Sequence, residues 1–446
     1  MKYLHIMPPS QRMLLTYVET LRKYFPAEDH KIQLISRLGK ADSCLLLYDN
    51  VKTYESLGKK RADKLVSIRK ELAEADRIVF HSFMPPAIWK AAFLMEKDVF
   101  SKAIWVVWGI DLYNYEKKGN SIINKELNKI DYEMRARIKY PIVVSEADLE
   151  EYKTRFGTHP VLYAPYAFAD ARFIVMDEAM RKRQEAIEEG LFKAEENAAD
   201  AEGENEDKAE TEADEKQTSD EAAASAVKPL PYVPYELGGP LRVQVCHNGF
   251  PFNKHYEVLN YLAPLCQGKD RNRIKLFLPL SYGNGALANG VTYVDALKSF
   301  IKQKFAENVA IISRMMPNNE YTEYLSSIDV AIFNAPRHNA LGNILQLLYM
   351  GKKVYLSNKS PLLPYLRGKG FIIHTVDELD GISLEELARP DDTQKNREWI
   401  RMAFGVETMR DLWRTIFAYS EGKISHSTAW KKDEEIMRGL DKTGET

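Results

Sequence analysis

Short unbroken apolar runs alternate with stretches of helical periodicity along most of this chain. In the first 165 residues the runs are YLHIM (3–7), IQLIS (32–36), CLLLY (44–48), RIVFHS (77–82), AIWVVWG (103–109), YPIVVS (140–145) and PVLYAP (160–165). RADKLVSIRKELAEA (61–75) and IINKELNKIDYEMRARI (122–138), lying between them, read as helices. Strands that are apolar at every position belong to parallel sheets covered on both faces. A second series of the same kind starts at LRVQVCH (241–247). It continues through RIKLFLPL (273–280), NVAIIS (308–313), DVAIFN (329–334), KVYLS (353–357) and FIIHT (371–375). Helices are predicted near 255–263, 292–304, 319–326, 341–350 and 360–367.

The pattern fails between the two series. DEAMRKRQEAIEEGLFKAEENAADAEGENEDKAETEADEKQTSDEAAASA (177–226) holds few large apolar residues. Its first part reads as a solvated helix, and from about Ala194 onward it is expected to be disordered. PLPYVPYELGGP (229–240) then leads back into folded chain. The expected fold class is α/β, two doubly wound Rossmann-like domains facing a cleft. The expected divisions are 1–175, an acceptor-side domain; 176–240, an acidic insert and linker; 241–392, a nucleotide-sugar-binding domain; and 393–446, helices returning toward the first domain. A length of 446 residues suits two cores rather than one. Closure of the cleft is expected to hinge near 229–240 and the last helices.

Charge sharpens this picture. Residues 176–228 carry 18 acidic and 7 basic side chains, a local net of −11 within an overall −2, which leaves +9 for the rest. That remainder suits an anionic ligand or an anionic lipid surface. Lys59, Lys60, Arg61, Lys64, Arg69 and Lys70 cluster on one helix, and Lys117, Lys118, Lys125, Lys129, Arg135 and Arg137 near another. Three widely separated cysteines, Cys44, Cys246 and Cys266, form neither a disulfide framework nor a zinc spacing, so a reducing cytoplasm is expected. MKYLHIMPPS is too short in its apolar run for a signal peptide, and no apolar window of about 20 residues exists to span a bilayer.

Candidate chemistry gathers where strands end. FNAPRHNALGNILQLLYMGKKVYLS (333–357) carries a strand into a polar loop and then into an apolar helix. A helix start offers free N–H groups and a positive dipole end, a seat for a diphosphate. Gly342 lets the backbone approach closely, Arg337 adds a forked donor, and His338 and Asn343 add polar contacts. Gln346 lies one turn on, able to bond a sugar hydroxyl. VCHNGFPFNKHYEVLNYL (245–262) places Asn248, Gly249, Asn253 and His255 similarly, with Asn253 also readable as a helix cap. Tyr282 and Asn284 follow the strand 273–280 in LPLSYGNGAL, and Arg314 ends the strand 308–313. In the first domain FHSFMPP (80–86) and VVWGIDLYNY (106–115) offer His81 and Asp111, either able to take a proton from an acceptor hydroxyl. Trp105 and Trp108 flank them, and at least one is expected in the core. No Asp-x-Asp occupies a strand-end loop, so no metal and no other cofactor is expected. The phosphate charge falls to backbone amides and arginine.

In combination HSF, WGIDLY, HNGFPFNKHYEVL, PLSYGN and APRHNALGNILQLLYMGKKVYLSNKSP resemble the family 56 glycosyltransferases. The likeness covers most of 1–165 and 241–420 and leaves out the acidic insert. It implies a GT-B architecture and a TDP- or UDP-activated 6-deoxy amino sugar such as N-acetylfucosamine as donor. It further implies a polyprenyl-diphosphate-linked glycan acceptor at the inner face of a bacterial inner membrane, and metal-free inversion. Carried over, Asn248, Asn253, His255, Tyr282, Asn284, Arg337, Gly342 and Gln346 are donor-site residues, and His81 and Asp111 lie on the acceptor side. The chain departs from the family pattern at His247-Asn248-Gly249, where the family has Gly-Asn-Ser. It departs again at His338-Asn339-Ala340-Leu341-Gly342, in place of Gln-Gln-Gly-Ile-Gly. No nucleic-acid partner is expected. Two other readings stay open: a nucleotide-sugar epimerase of the same fold, which needs a carboxylate pair, and a non-catalytic glycan or nucleotide binder that uses the insert to dock a partner.

Overall fold

A computed structural model describes residues 1–8, 12–35, 49–53, 57, 60–83, 86–113, 121–157, 160–203, 230–285, 290–393 and 395–442. The predicted strand 44–48, Cys44, Lys59, Lys117, Lys118 and most of the acidic insert lie outside them.

The first unit is a seven-stranded sheet of β1 (Tyr3–Met7), β2 (His30–Leu34), β3 (Val51–Lys52), β4 (Arg77–Phe80), β5 (Ala103–Val107), β6 (Tyr140–Val143) and β7 (Leu162–Tyr163). Its order is β3-β2-β1-β4-β5-β6-β7, parallel throughout. The second unit is a six-stranded sheet of β8 (Leu241–Val245), β9 (Ile274–Pro279), β10 (Val309–Ile312), β11 (Val330–Phe333), β12 (Lys353–Leu356) and β13 (His374–Thr375). Its order is β10-β9-β8-β11-β12-β13, also parallel. In each sheet the order reverses beside the first strand, between β1 and β4 and between β8 and β11. A crevice opens there between diverging loops, and ligands of such sheets bind in it. Most strands are buried on both faces, as their continuous apolar runs require, while the edge strands β3, β10 and β13 are only partly covered.

The segment expected as insert and linker begins as packed helix. Asp170–Gly203 is one helix, and it buries Phe173, Met176, Ala179, Arg183 and Ile187. Phe173 packs on Tyr349 of the second unit at 5.3 Å. Arg183 donates to Asp329 at 2.7 Å and to Glu236 at 3.0 Å, tying the helix to the second sheet and to the segment Tyr235–Leu237. Residues from 170 into the 190s therefore belong to the second unit. The expected hinge at 229–240 moves accordingly: segment 235–237 is anchored to that unit, and the chain passes between the units at 164–169 and again near 403–406. These two passages touch, with the Phe168 N–H donating to the Phe404 carbonyl at 2.8 Å.

Beyond the second passage, helices Val406–Ser420 and His426–Lys442 lie on the first sheet. Trp413 packs on Tyr17 at 4.8 Å and Phe417 on Tyr3 at 4.6 Å, and Arg77 donates to the Ser420 carbonyl at 2.7 Å. One apolar core thus runs from β1 through these helices to Leu341–Tyr349. Among the described residues no helix is long and apolar enough to cross a membrane.

Candidate active site

The cleft is built from the carboxyl-end loops of β4, β5 and β6 on one side and of β8, β9 and β11 on the other. Among the described residues, four that are not glycine have positive φ: Ser82 (105°), Cys246 (59°), Lys254 (52°) and Ala340 (63°). All four lie in loops after β4, β8 or β11. Such conformations cost about 1–3 kcal/mol each and persist where surrounding structure dictates them, commonly at binding sites.

On the second unit Asn248 and Asn253 form the centre of a network. The Asn253 amide donates to Asn248 Oδ1 at 2.6 Å and to its carbonyl at 3.1 Å, while Asn253 Oδ1 accepts from Asn339 at 3.1 Å. Asn248 Oδ1 also accepts from the Phe250 N–H at 3.0 Å. The loops after β8 and β11, on either side of the switch point, are thereby locked together. Asn253 is not the helix cap; Lys254 holds that position, with no side-chain cap bond. Gly249 is required by packing, since a Cβ there would lie 2.3 Å from the Gly283 carbonyl oxygen. His255 is fully buried, bonded to the Tyr293 hydroxyl at 3.2 Å, and its Nε2 has no partner; burial lowers its pKa to about 4. Tyr282 stands on the rim with its ring edge-on to His247. Asn284 accepts from the Val294 N–H at 3.2 Å and so holds a helix start. Arg314 is exposed and paired with Glu320, outside this network.

The helix Leu341–Tyr349 begins at Ala340, and no side chain caps it. A Cβ on Gly342 would meet nothing within 4 Å, so open space lies against the helix start. Arg337 is half-buried, its guanidinium 3.6 Å from the centroid of the Phe252 ring, and its Nε is buried without a partner. Desolvation lowers its pKa, partly offset by the nearby Tyr113. A guanidinium N–H and helix-start N–H groups in one strand-to-helix segment are groups that suit an anion. Asn343 lies in the helix's first turn, its N–H bonded to the Ala340 carbonyl at 2.8 Å. Gln346 is committed at both ends: Oε1 accepts from Arg172 at 2.9 Å and Nε2 donates to the Gly342 carbonyl at 2.9 Å. His338 leaves the loop for the other unit, bonding Asp148 at 2.6 Å and Ser145 at 3.3 Å, with its carbonyl close over Gly109.

On the first unit Asp111 Oδ1 accepts from Ser82 Oγ at 3.1 Å and from the Phe83 N–H at 3.2 Å, while Oδ2 is buried without a partner. Burial raises its pKa, against a smaller opposing pull from Arg135. His81 is fully buried and bonded to the Tyr166 hydroxyl at 2.7 Å, which also accepts from Trp108 Nε1 at 3.2 Å. Desolvation drops the His81 pKa to about 3. Trp105 is core and Trp108 is half-buried. Arg135, expected on a basic surface, is instead buried and ion-paired with Asp131, which also binds Lys90.

Asp148, Ser145, Tyr166, Asn339, Phe252 and Arg172 are not among the site residues expected from the sequence. Only Arg172 had a readable signal: Phe173, Met176, Met180 and Ile187 recur at helical spacing just beyond it, an apolar stripe hidden in acidic composition.

Two doubly wound units that turn their switch-point loops toward one cleft define the GT-B fold. No protein-family model matches the chain. Among solved structures it is similar to HepE of Anabaena in complex with UDP and glucose, with TM-score 0.56 and 9% identity, over 94% of this chain and 100% of that one. It is also similar to sucrose-phosphate synthase from Thermosynechococcus elongatus, with TM-score 0.54 and 12% identity, over 94% and 100%. A third similar structure is WaaG, a glycosyltransferase involved in lipopolysaccharide biosynthesis, with TM-score 0.51 and 12% identity, over 97% and 99%. At such identities the likeness establishes the fold.

Proposed function

We propose that the protein is an inverting glycosyltransferase that uses a nucleoside-diphosphate sugar. The observation that carries this reading is the uncapped helix start at Leu341, with open space over Gly342 and the unmatched Arg337 beside it. These groups would hold the diphosphate and stabilise the charge that develops as it leaves, so no metal is called for. The Asn248–Asn253–Asn339 network fixes the loops around the sugar, and Tyr282 offers a stacking face at the rim. A similar structure that holds UDP with glucose supports a uridine donor. The motif resemblance to family 56 favours a 6-deoxy amino sugar and a polyprenyl-diphosphate-linked acceptor. Such an acceptor places the enzyme on the inner face of a bacterial membrane. Exposed Lys70, Ile122 and Ile123 on the acceptor-side unit suit that surface.

Titration calorimetry with UDP, TDP, GDP and CMP tests the donor site. UDP or TDP is expected to bind, and Arg337→Ala to weaken binding by roughly 10- to 100-fold, the worth of a charge-assisted hydrogen bond. Absence of binding by every nucleotide would overturn the assignment.

A further inference from the structure

Three histidines lie nose to tail inside the first unit. His81 follows β4 at the cleft, His5 sits in the middle of β1, and His30 starts β2 at the opposite end of the sheet. Their exposures are 0%, 0% and 4%. His81 Nε2 faces His5 Nδ1 at 3.4 Å, and His5 Nε2 faces His30 Nδ1 at 2.9 Å. At the cleft end His81 Nδ1 meets the Tyr166 hydroxyl, which Trp108 also contacts. Tyr17, Trp413 and Phe417 cover the row from the helices above, and the Tyr17 hydroxyl reaches His5 Nδ1 at 3.4 Å. Tyr3 stacks on His30, and the Met1 ammonium, Asp29 and Glu421 surround that outer end.

A neutral imidazole donates at one nitrogen and accepts at the other. A single tautomer shared by all three rings satisfies the whole row, in either of two directions. With Nε2–H on each ring, Tyr166 donates to His81, His81 to His5, and His5 to His30. With Nδ1–H on each ring the row runs the other way, and Tyr166 accepts from His81. Conversion of the first alignment to the second carries one proton from the Tyr166 end to the His30 end without a buried imidazolium.

We propose that this row is a proton relay from the cleft to the opposite face of the first unit, with Tyr166 as its cleft-side terminus. Its use in catalysis rests on the glycosyl-transfer reading; its existence does not. In transfer, the acceptor hydroxyl proton passes to the Tyr166 oxygen as the Tyr166 proton passes to His81 Nδ1. The His81 and His5 Nε2 protons each move one ring outward, and the His30 Nε2 proton goes to water. The electron pair of the acceptor O–H forms the new C–O bond, and the diphosphate departs with the pair of the old one. Burial opposes any charged alternative, lowering the pKa of His81 to about 3, that of His30 to about 4 and that of His5 well below its usual value. Both His81 and Tyr166 are buried, at 0% and 7% exposure, and Tyr166 is the outer of the two, so His81 acts through it.

Long-range proton–nitrogen correlation spectra of the full-length protein, 15N-labelled at histidine, read each ring's tautomer. Single His→Gln variants supply assignments. The relay predicts one shared tautomer and, in Tyr166→Phe, a tautomer change at His81 that extends to His5 and His30. Independent tautomers, or an effect that stops at His81, would reduce the row to packing and overturn the proposal. Should Tyr166→Phe not fold, His30→Gln reads the same coupling at His81 from the other end. No substrate enters this test, so its failure leaves the transfer reading standing. Given a transfer assay, His5→Gln is expected to lower kcat at least tenfold at unchanged donor KM, with a larger solvent isotope effect. An unchanged kcat would overturn the catalytic use.

Discussion

The substitution Gly342→Ala separates folding from binding. Gly342 has an ordinary φ, and its added methyl would meet no atom within 4 Å. Alanine in a helix is better than glycine by up to about 1 kcal/mol, and somewhat less in a first turn. The urea midpoint should therefore hold or rise. The same methyl occupies the space assigned to the diphosphate, pushing it from the helix N–H groups and from Arg337. A tenfold loss of affinity, about 1.4 kcal/mol, is the least expected. UDP at a hundred times the wild-type Kd stabilises the native protein by about 2.7 kcal/mol, and after that loss by only about 1.4 kcal/mol. Calorimetric Kd values beside urea curves with and without UDP measure both effects. A folded variant that binds UDP within twofold of wild type would refute the placement of the diphosphate, and a destabilised one would show that the space over Gly342 is not open.

Gly249→Ala should behave oppositely, since its methyl collides with the Gly283 carbonyl and the Val294 side chain; a cost of about 1–3 kcal/mol in urea is expected. Arg183→Ala strips the cationic partner from the largely buried Asp329, which keeps the Arg242 N–H, and frees Glu236; a loss of about 3 kcal/mol is expected, and a neutral result would show that the bridge does not anchor the long helix. Asp433 is raised by burial from 3.8 to about 7, its Oδ1 unpartnered and its Oδ2 bonded to the Tyr163 N–H. The folded state therefore holds a proton that the unfolded state releases, and stability falls as pH rises from about 4 to 7, by at most roughly 4 kcal/mol. Asp433→Asn should stabilise the protein at pH 8 and match wild type near pH 4, as read from parallel melts.

Most strands were legible to within two or three residues because sheets covered on both faces demand unbroken apolar runs. The polar loops after them were equally visible. Their convergence was less so, because the switch points follow from strand order, which leaves no local mark. Asn248 and Asn253 were read as neighbours in sequence, while their partner Asn339 arrives from a loop 86 residues on. His338 looked like a phosphate ligand and proves to reach Asp148 on the other unit, a long-range contact that no periodicity announces. Arg314 was expected at the donor site because it ends a strand, yet a glutamate six residues away holds it at the surface. The acidic composition of 177–226 concealed a packed helix, because charge on the outer face outweighs a narrow apolar stripe in any average.

The paired passages at Phe168 and Phe404 bear on how the cleft can move. A single connecting strand leaves a rigid body free to swing, twist and tumble, whereas two connections joined side by side act as two leaves on a common pin. Relative motion then reduces to rotation about one axis, the narrowest freedom that still opens a cleft. Loss of the residues beyond 404 would cut one leaf and remove the Trp413 and Phe417 contacts with the first sheet as well. Such a chain would trade one guided rotation for many unguided ones.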